Sequence, residues 1–302
     1  VTIDAVNEFS FLAGQAHALG VEAPASVTRV SVAAHGGRTI SALKYTDDEP
    51  VVTLLHGAGL NAHTWDSTVI AMGLPALAID LPGHGDSSWR ADASYTPDNL
   101  ADDVILAIEA LTSRPQILVG HSLGGLTAAA IASRRPDLVE RVVFVDIVPA
   151  LDPKIGPAEL RAFYSRQDFA TRDEVVDYAM SFGMGSDRAG TARGVLFNTR
   201  VREDGRVEWK HHFAQLALAI LPEGAAEGTL VQNERAWQNV ESIGAPVTLV
   251  RGSRGYIDEP ALATFTHRVP EATVITVDAG HNVQETQPVA LAAIITASSE
   301  TE

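Results

Sequence analysis

Residues 116–134 read Gln-Ile-Leu-Val-Gly-His-Ser-Leu-Gly-Gly-Leu-Thr-Ala-Ala-Ala-Ile-Ala-Ser-Arg. An apolar run, Ile117-Leu118-Val119, enters Gly120-His121-Ser122-Leu123-Gly124, and a helical pattern leaves it. Gly-x-Ser-x-Gly between a strand and a helix is the setting of a nucleophile elbow. The residue types follow from the geometry. At so sharp a turn, flanking side chains would collide with strand and helix, and Gly120 and Gly124 have none. Ser122 is expected at the tip in a strained conformation. Its hydroxyl should be exposed, with the unpaired N–H groups of the helix N-terminus turned toward the reacting centre. The bare string would also fit an ordinary glycine turn; the strand before it and the helix after it favour a nucleophilic serine.

The same alternation extends outward from the elbow. Apolar runs at 51–55, 75–79, 117–119 and 142–145 are separated by helical patterns at 64–72 and 97–112, the latter placing Leu100, Val104, Ala107, Ile108 and Leu111 on one face. The pattern resumes with strands at 247–250 and 273–277 and helices at 259–268 and 288–296. Near-continuous apolar strands joined by helices predict a mostly parallel α/β sheet covered on both faces. Residues 27–34 and 39–45 read as a β-hairpin, and 3–19 as an amphipathic helix stopped by Gly20. Between 148 and 245 the alternation stops and a helical, aromatic-rich stretch intervenes, far longer than an ordinary αβ connection. The expected division is therefore a core of 1–147 and 246–302, carrying the helix 3–19, with a helical lid over 148–245. The tail at 298–302 reads as disordered.

Composition narrows the chemistry. The chain has 302 residues, 46% of them hydrophobic, enough for one sizeable α/β core with an insertion. A net charge of −16 argues against nucleic acid, anionic membranes and polyanionic substrates. There are no cysteines, so neither a disulfide framework nor thiolate chemistry is available. No basic region followed by an unbroken apolar stretch opens the chain, and no apolar run approaches the ~20 residues of a membrane span. The expectation is a cytoplasmic protein that takes a small molecule; self-association is compatible with the pattern.

A serine hydroxyl needs a general base, and the base needs an orienting partner. His281, in Asp278-Ala279-Gly280-His281-Asn282 just past the strand at 273–277, is the candidate base. Ligand sites in parallel sheets lie at such carboxyl ends. For the acid, Asp146 ends the buried run 142–145, where a carboxylate is costly to desolvate without a partner. Asp258 is the alternative, although Pro260 close behind makes it look like a helix N-cap. Two fixed donors are needed for the oxyanion of acyl transfer: the N–H of Leu123, and the N–H of Ala58 in His56-Gly57-Ala58-Gly59, whose glycines permit close backbone approach. Gly57, His63, Trp65 and Met184 are candidates for the substrate pocket. His121 is expected to pack, and His84 and Asp86 to be structural. His211-His212 lacks a third ligand spaced to help, so neither metal nor cofactor is expected.

The set His56-Gly57-Ala58-Gly59, Asp80-Leu81-Pro82-Gly83-His84-Gly85-Asp86-Ser87, Gly120-His121-Ser122-Leu123-Gly124-Gly125 and Gly280-His281 resembles the α/β-hydrolase family, most of all its bacterial carboxylesterases and lactonases with a helical lid. The resemblance spans roughly residues 27–298. It implies an eight-stranded, mostly parallel sheet with the lid after the sixth strand. It also implies Ser122 as nucleophile, His281 as base, and Ala58 and Leu123 as oxyanion donors. Most members carry the acid soon after the glycine of the seventh strand's loop, where this chain has Gly255 and no carboxylate; a minority place it after the sixth strand, where Asp146 stands. Ser122 argues against the epoxide hydrolases and haloalkane dehalogenases of the family, which use aspartate.

The expected activity is cleavage of an uncharged, hydrophobic ester or lactone through an acyl-enzyme. Two alternatives remain at this point. Carbon–carbon bond hydrolysis of a carboxylate-bearing diketone would be favoured by a lid arginine aimed at the site, and Arg161, Arg166, Arg193 and Arg200 are available. A ligand-binding protein on a hydrolase scaffold would leave Ser122 unreactive.

Overall fold

Strands β3 (Val52–Leu55) and β4 (Ala76–Ile79) are buried throughout, as is β5 (Gln116–His121), while β6 (Val139–Val145) exposes only Glu140. Their side chains alternate between two apolar layers, as a period of two requires. Leu55, Leu118, Val142, Phe144 and Leu249 point into one layer, and Leu54, Ile117, Val119, Val143 and Val145 into the other. This is why the strands read as unbroken apolar runs: both faces are covered. The computed structural model describes residues 7–149, 161–183, 187–220 and 234–297, without the side chains of 217–220.

The sheet has eight strands in the order β1-β2-β4-β3-β5-β6-β10-β11, where β1 is Val27–Ala33, β2 Thr39–Tyr45, β10 Val247–Gly252 and β11 Thr273–Val277. β1 pairs antiparallel with β2, and β2 with β4; every other neighbouring pair is parallel. The first layer is closed by α3 (Pro97–Leu111) and α4 (Leu123–Arg134), with α8 (Glu234–Glu241) and α9 (Glu259–Arg268). The second is closed by α2 (Asp66–Met72), α10 (Val283–Thr286) and α11 (Pro288–Ala297). α3 begins where Thr96 caps the N–H of Asn99 and Pro97 occupies the first turn, both expected of a helix start.

Over the described part of the helix expected at 3–19, Asn7 is extended and the first turn is 3₁₀. A 3₁₀ turn at Glu8–Phe11 leads into α1 (Leu12–Leu19), which ends at Gly20 in the left-handed conformation; Ile3 and Val6 lie outside the described residues. Arg29 of β1 ties this segment to the sheet, pairing with Glu8 at 2.6 Å and with the buried Asp80 at 2.7 Å.

The insertion after β6 differs from the purely helical expectation. Besides α5 (Arg172–Ser181), α6 (Arg188–Asn198) and α7 (His212–Ile220), it holds a three-stranded antiparallel sheet. Its strands are β7 (Asp168–Phe169), β8 (Thr199–Val201) and β9 (Val207–Trp209), in the order β7-β9-β8. Phe163, Tyr164, Phe169, Val176 and Trp209 build a separate apolar cluster there. α8 does not join it: Ala236, Trp237 and Val240 pack in the main core, against α4. By packing, the chain has therefore returned to the core before residue 245. Among the described residues no helix is long and apolar enough to cross a membrane.

Candidate active site

Ser122 links β5 to α4 with φ 51° and ψ −121°, outside the ordinary regions for a residue with a side chain. Only four non-glycine residues among those described have positive φ, and Asp146 (φ 49°) is another of them. Strain at two chemically suited residues marks a site. The glycines make the elbow feasible: a Cβ on Gly120 would overlap backbone of Gly124 and Gly125, and one on Gly124 would overlap the Leu55 carbonyl. Gly125 N–H donates to the Ser122 carbonyl at 2.9 Å, so the Leu123 N–H, two positions earlier, precedes the helix's own bonding.

Asp146 leaves the end of β6 fully buried. Its Oδ1 accepts the Gly252 N–H at 3.0 Å, and its Oδ2 accepts the Tyr256 N–H at 2.8 Å and the Nδ1–H of His281 at 2.8 Å. A buried carboxylate with three donors has the partners that burial demands. Gly255 makes this arrangement feasible, since a Cβ there would overlap the Asp146 carboxylate. Asp258, by contrast, is exposed and accepts the Ala261 N–H at 2.8 Å as the N-cap of α9.

His281 is held from three sides. Besides the Asp146 bond, the Tyr256 ring stacks on it at 3.8 Å and 15°. The buried His121 donates Nε2–H to the His281 carbonyl at 3.1 Å. His121 thus joins the residue beside Ser122 to the backbone of His281, and burial holds its imidazole well below the usual pKa, hence neutral. It packs, as expected, but it also positions. Tyr256 carried no such expectation. Its part depends on β10 lying beside β6, which no local pattern shows.

The loop after β3 lies against the elbow. Gly57 stands where a Cβ would come within 3.2 Å of the Ser122 Cβ and still closer to the His121 ring. His56 anchors this loop: Nδ1–H donates to the Gly57 carbonyl at 2.8 Å and Nε2 accepts the Leu81 N–H at 2.9 Å. Burial keeps that imidazole below its ordinary pKa, so the neutral tautomer persists. Ala58, Ser122, Leu123 and His281 are all half-buried, between buried neighbours such as Gly57 and Gly124. The N–H groups of Ala58 and Leu123 take no backbone acceptor among the described residues.

A cavity of about 610 Å³ opens beside this loop and beside His281, reaching Gly59, Leu60 and Asn282 on the core and Tyr164, Arg193 and Trp209 on the insertion. Of the pocket candidates, His63 is on its wall but stacks on Phe197 at 3.8 Å and bonds Asp66 and Glu8, each at 3.1 Å. Trp65 departs from expectation. It is fully buried among Leu43, Tyr45, Val52 and Leu54, because the 3₁₀ turn Ala62–Trp65 points it into the core, away from any substrate. Met184 lies outside the described residues. The two adjacent histidines of the insertion diverge: His211 stacks over His84 at 5.8 Å, and His212 meets the Tyr95 hydroxyl at 2.7 Å. Asp80 organises the turn at 80–87 structurally, accepting the N–H groups of Ala62 at 2.8 Å and Asp86 at 3.1 Å.

Fold and site together define a hydrolase of the α/β class. The alpha/beta hydrolase family pattern matches residues 54–294, and the chain belongs to that family. It is 35% identical to esterase Rv0045c of Mycobacterium tuberculosis over 302 aligned positions, covering 96% of this chain and 95% of that one. A solved structure of that esterase superposes with a TM-score of 0.81 at 30% identity, over 98% of this chain and 100% of the other. The chain is also 28% identical to 2-(acetamidomethylene)succinate hydrolase of Mesorhizobium japonicum, over 83% of this chain and 88% of the relative.

Proposed function

We propose that the chain is a serine ester hydrolase acting through an acyl-enzyme on an uncharged, largely apolar ester or lactone. Ser122 attacks the carbonyl while His281 Nε2 takes its proton. Asp146 holds the Nδ1–H and stabilises the imidazolium. The N–H groups of Leu123 and Ala58 receive the oxyanion. His281 then returns the proton to the leaving alcohol and activates the water that releases the acid. The observation that carries this reading is the hydrogen bond from His281 Nδ1 to a buried Asp146, on a histidine tied through His121 to the elbow of Ser122. The esterase named among the relatives supports the ester class, and the aromatic walls of the cavity support an apolar acyl or alcohol group.

Arg193 favours a second reading. It lies on the cavity wall and makes no ion pair among the described residues, whereas Arg166 pairs with Glu174 and Arg200 with Glu208. A cation so placed suits a substrate bearing a carboxylate, as carbon–carbon bond hydrolysis would require. Asp187 and Glu285 share the same wall and oppose that preference. A panel of uncharged p-nitrophenyl esters, lactones and a carboxylated diketone separates the two. The ester reading expects turnover of the first two and its loss in Ser122→Ala. Preference for the diketone, reversed in Arg193→Ala, would replace it.

A further inference from the structure

Tyr164 stands out among the insertion's residues. Its ring is clamped by Phe163, Trp209, His211 and Phe213, with centroids 4.9–5.7 Å away and planes at 68–88°. The residue is 6% exposed. Such edge-on packing fixes the direction of the hydroxyl. That hydroxyl reaches the loop after β3: a Cβ on Gly59, which has φ +75°, would overlap it. It also lies on the wall of the 610 Å³ cavity. The Tyr164 oxygen makes no hydrogen bond among the described residues, whereas the hydroxyls of Tyr178 and Tyr45 donate to the Phe163 carbonyl and to Asp66. Burial pushes the Tyr164 phenol up, so it remains a protonated donor throughout the working range.

We propose that the Tyr164 hydroxyl is a third hydrogen-bond donor to the acyl oxygen at the Ala58 loop. This deepens, and rests on, the serine-hydrolase reading. The donor comes from the insertion, whereas the two N–H donors come from the core. Gly59 is the residue that admits it. The hydroxyl keeps its proton; it shortens its bond to the oxygen as negative charge develops there, so it assists the transition state more than the bound ester.

The test is Tyr164→Phe, which removes one oxygen and preserves the ring packing. Its kcat on a p-nitrophenyl ester should fall about 100-fold with KM within about twofold. A trifluoromethyl ketone analogue, whose hemiketal adduct with Ser122 carries the oxyanion, should lose affinity in proportion to kcat/KM. The melting temperature should hold or rise, because no protein hydrogen bond is lost. An unchanged kcat overturns the proposal. So does a rise in KM alone, which would make the hydroxyl a reader of some other substrate oxygen, or a lowered melting temperature with unchanged kcat, which would make it structural. Fluorophosphonate labelling of the wild type is run alongside. If Ser122 is labelled and the variant is unaffected, only the Tyr164 proposal falls; if Ser122 is not labelled, the serine-hydrolase reading falls and takes this one with it.

Discussion

The Nδ1–H of His281 and the Oδ2 of Asp146 meet at 2.8 Å, although 135 residues separate them in the chain. The carboxylate reaches across from the end of β6 to the end of β10 and the loop that follows it, where Gly252 and Tyr256 give it two backbone donors at 3.0 and 2.8 Å. In the proposed mechanism a carboxylate so bonded would orient the imidazole and stabilise the charge that forms on it.

Asp146→Asn should therefore lower kcat by about 10⁴-fold, because an amide favours the wrong imidazole tautomer. It should also lower stability by about 1–3 kcal/mol, since its NH₂ cannot accept the bonds the carboxylate accepts. Asp258→Ala should leave kcat unchanged and lower stability by about 1 kcal/mol through loss of the α9 cap. Steady-state kinetics and denaturant melts of both variants check this; the reverse pattern would make Asp258 the acid.

Gly255 touches no substrate in this account. Because its missing side chain is the space the Asp146 carboxylate fills, Gly255→Ala should displace that carboxylate and lower kcat about 100-fold. Adding a carboxylate to the same variant set, Gly255→Asp with Asp146→Ala, asks whether the acid can be moved to the neighbouring strand's loop. Full activity in Gly255→Ala would mean the carboxylate position is not critical.

These two loci also separate what local sequence shows from what it does not. The elbow was legible because steric necessity acts over five consecutive residues, Gly120 to Gly124. The sheet was legible because burial on both faces leaves unbroken apolar runs. Gly255 and Tyr256 were not, because their meaning depends on β10 lying beside β6, a pairing made across the whole insertion. The strands β7, β8 and β9 are two or three residues long, too short for alternation to register. Trp65 follows the loop after β3 in sequence, but its direction is set by a 3₁₀ turn whose inward face no short pattern distinguishes from its outward one.

Acid stability should depend on the N-terminal segment. Burial raises the Glu8 carboxyl, but its bonds to His63 and Arg29 outweigh this and hold it at about 2, below the usual 4.5. The folded state therefore binds fewer protons than the unfolded one in that interval. The stabilisation is complete above pH 4.5 and is lost as pH falls toward 2. His63 runs the other way. Burial lowers its imidazole, but Asp66 and Glu8 outweigh burial and raise it above 6.5, so its contribution is complete below 6.5 and is lost as pH rises through the raised value. Glu8→Gln should flatten both slopes in thermal melts taken across pH; unchanged slopes would mean that Glu8 is not coupled to folding.

His121→Phe keeps a ring of similar size but removes the Nε2–H that holds the His281 carbonyl at 3.1 Å. A positioning role predicts a fall in kcat of about tenfold with KM nearly unchanged, and slower fluorophosphonate labelling of Ser122. Unchanged labelling would reduce His121 to packing.

In the proposed mechanism Ser122 carries the acyl group. Intact-protein mass spectrometry during turnover of a slow p-nitrophenyl ester tests it directly. A transient mass increase of one acyl group less one hydrogen is expected, mapped by peptide digestion to Ser122 and absent in Ser122→Ala, which also loses turnover. Turnover persisting in Ser122→Ala, or an acyl adduct mapped to any other residue, would contradict it.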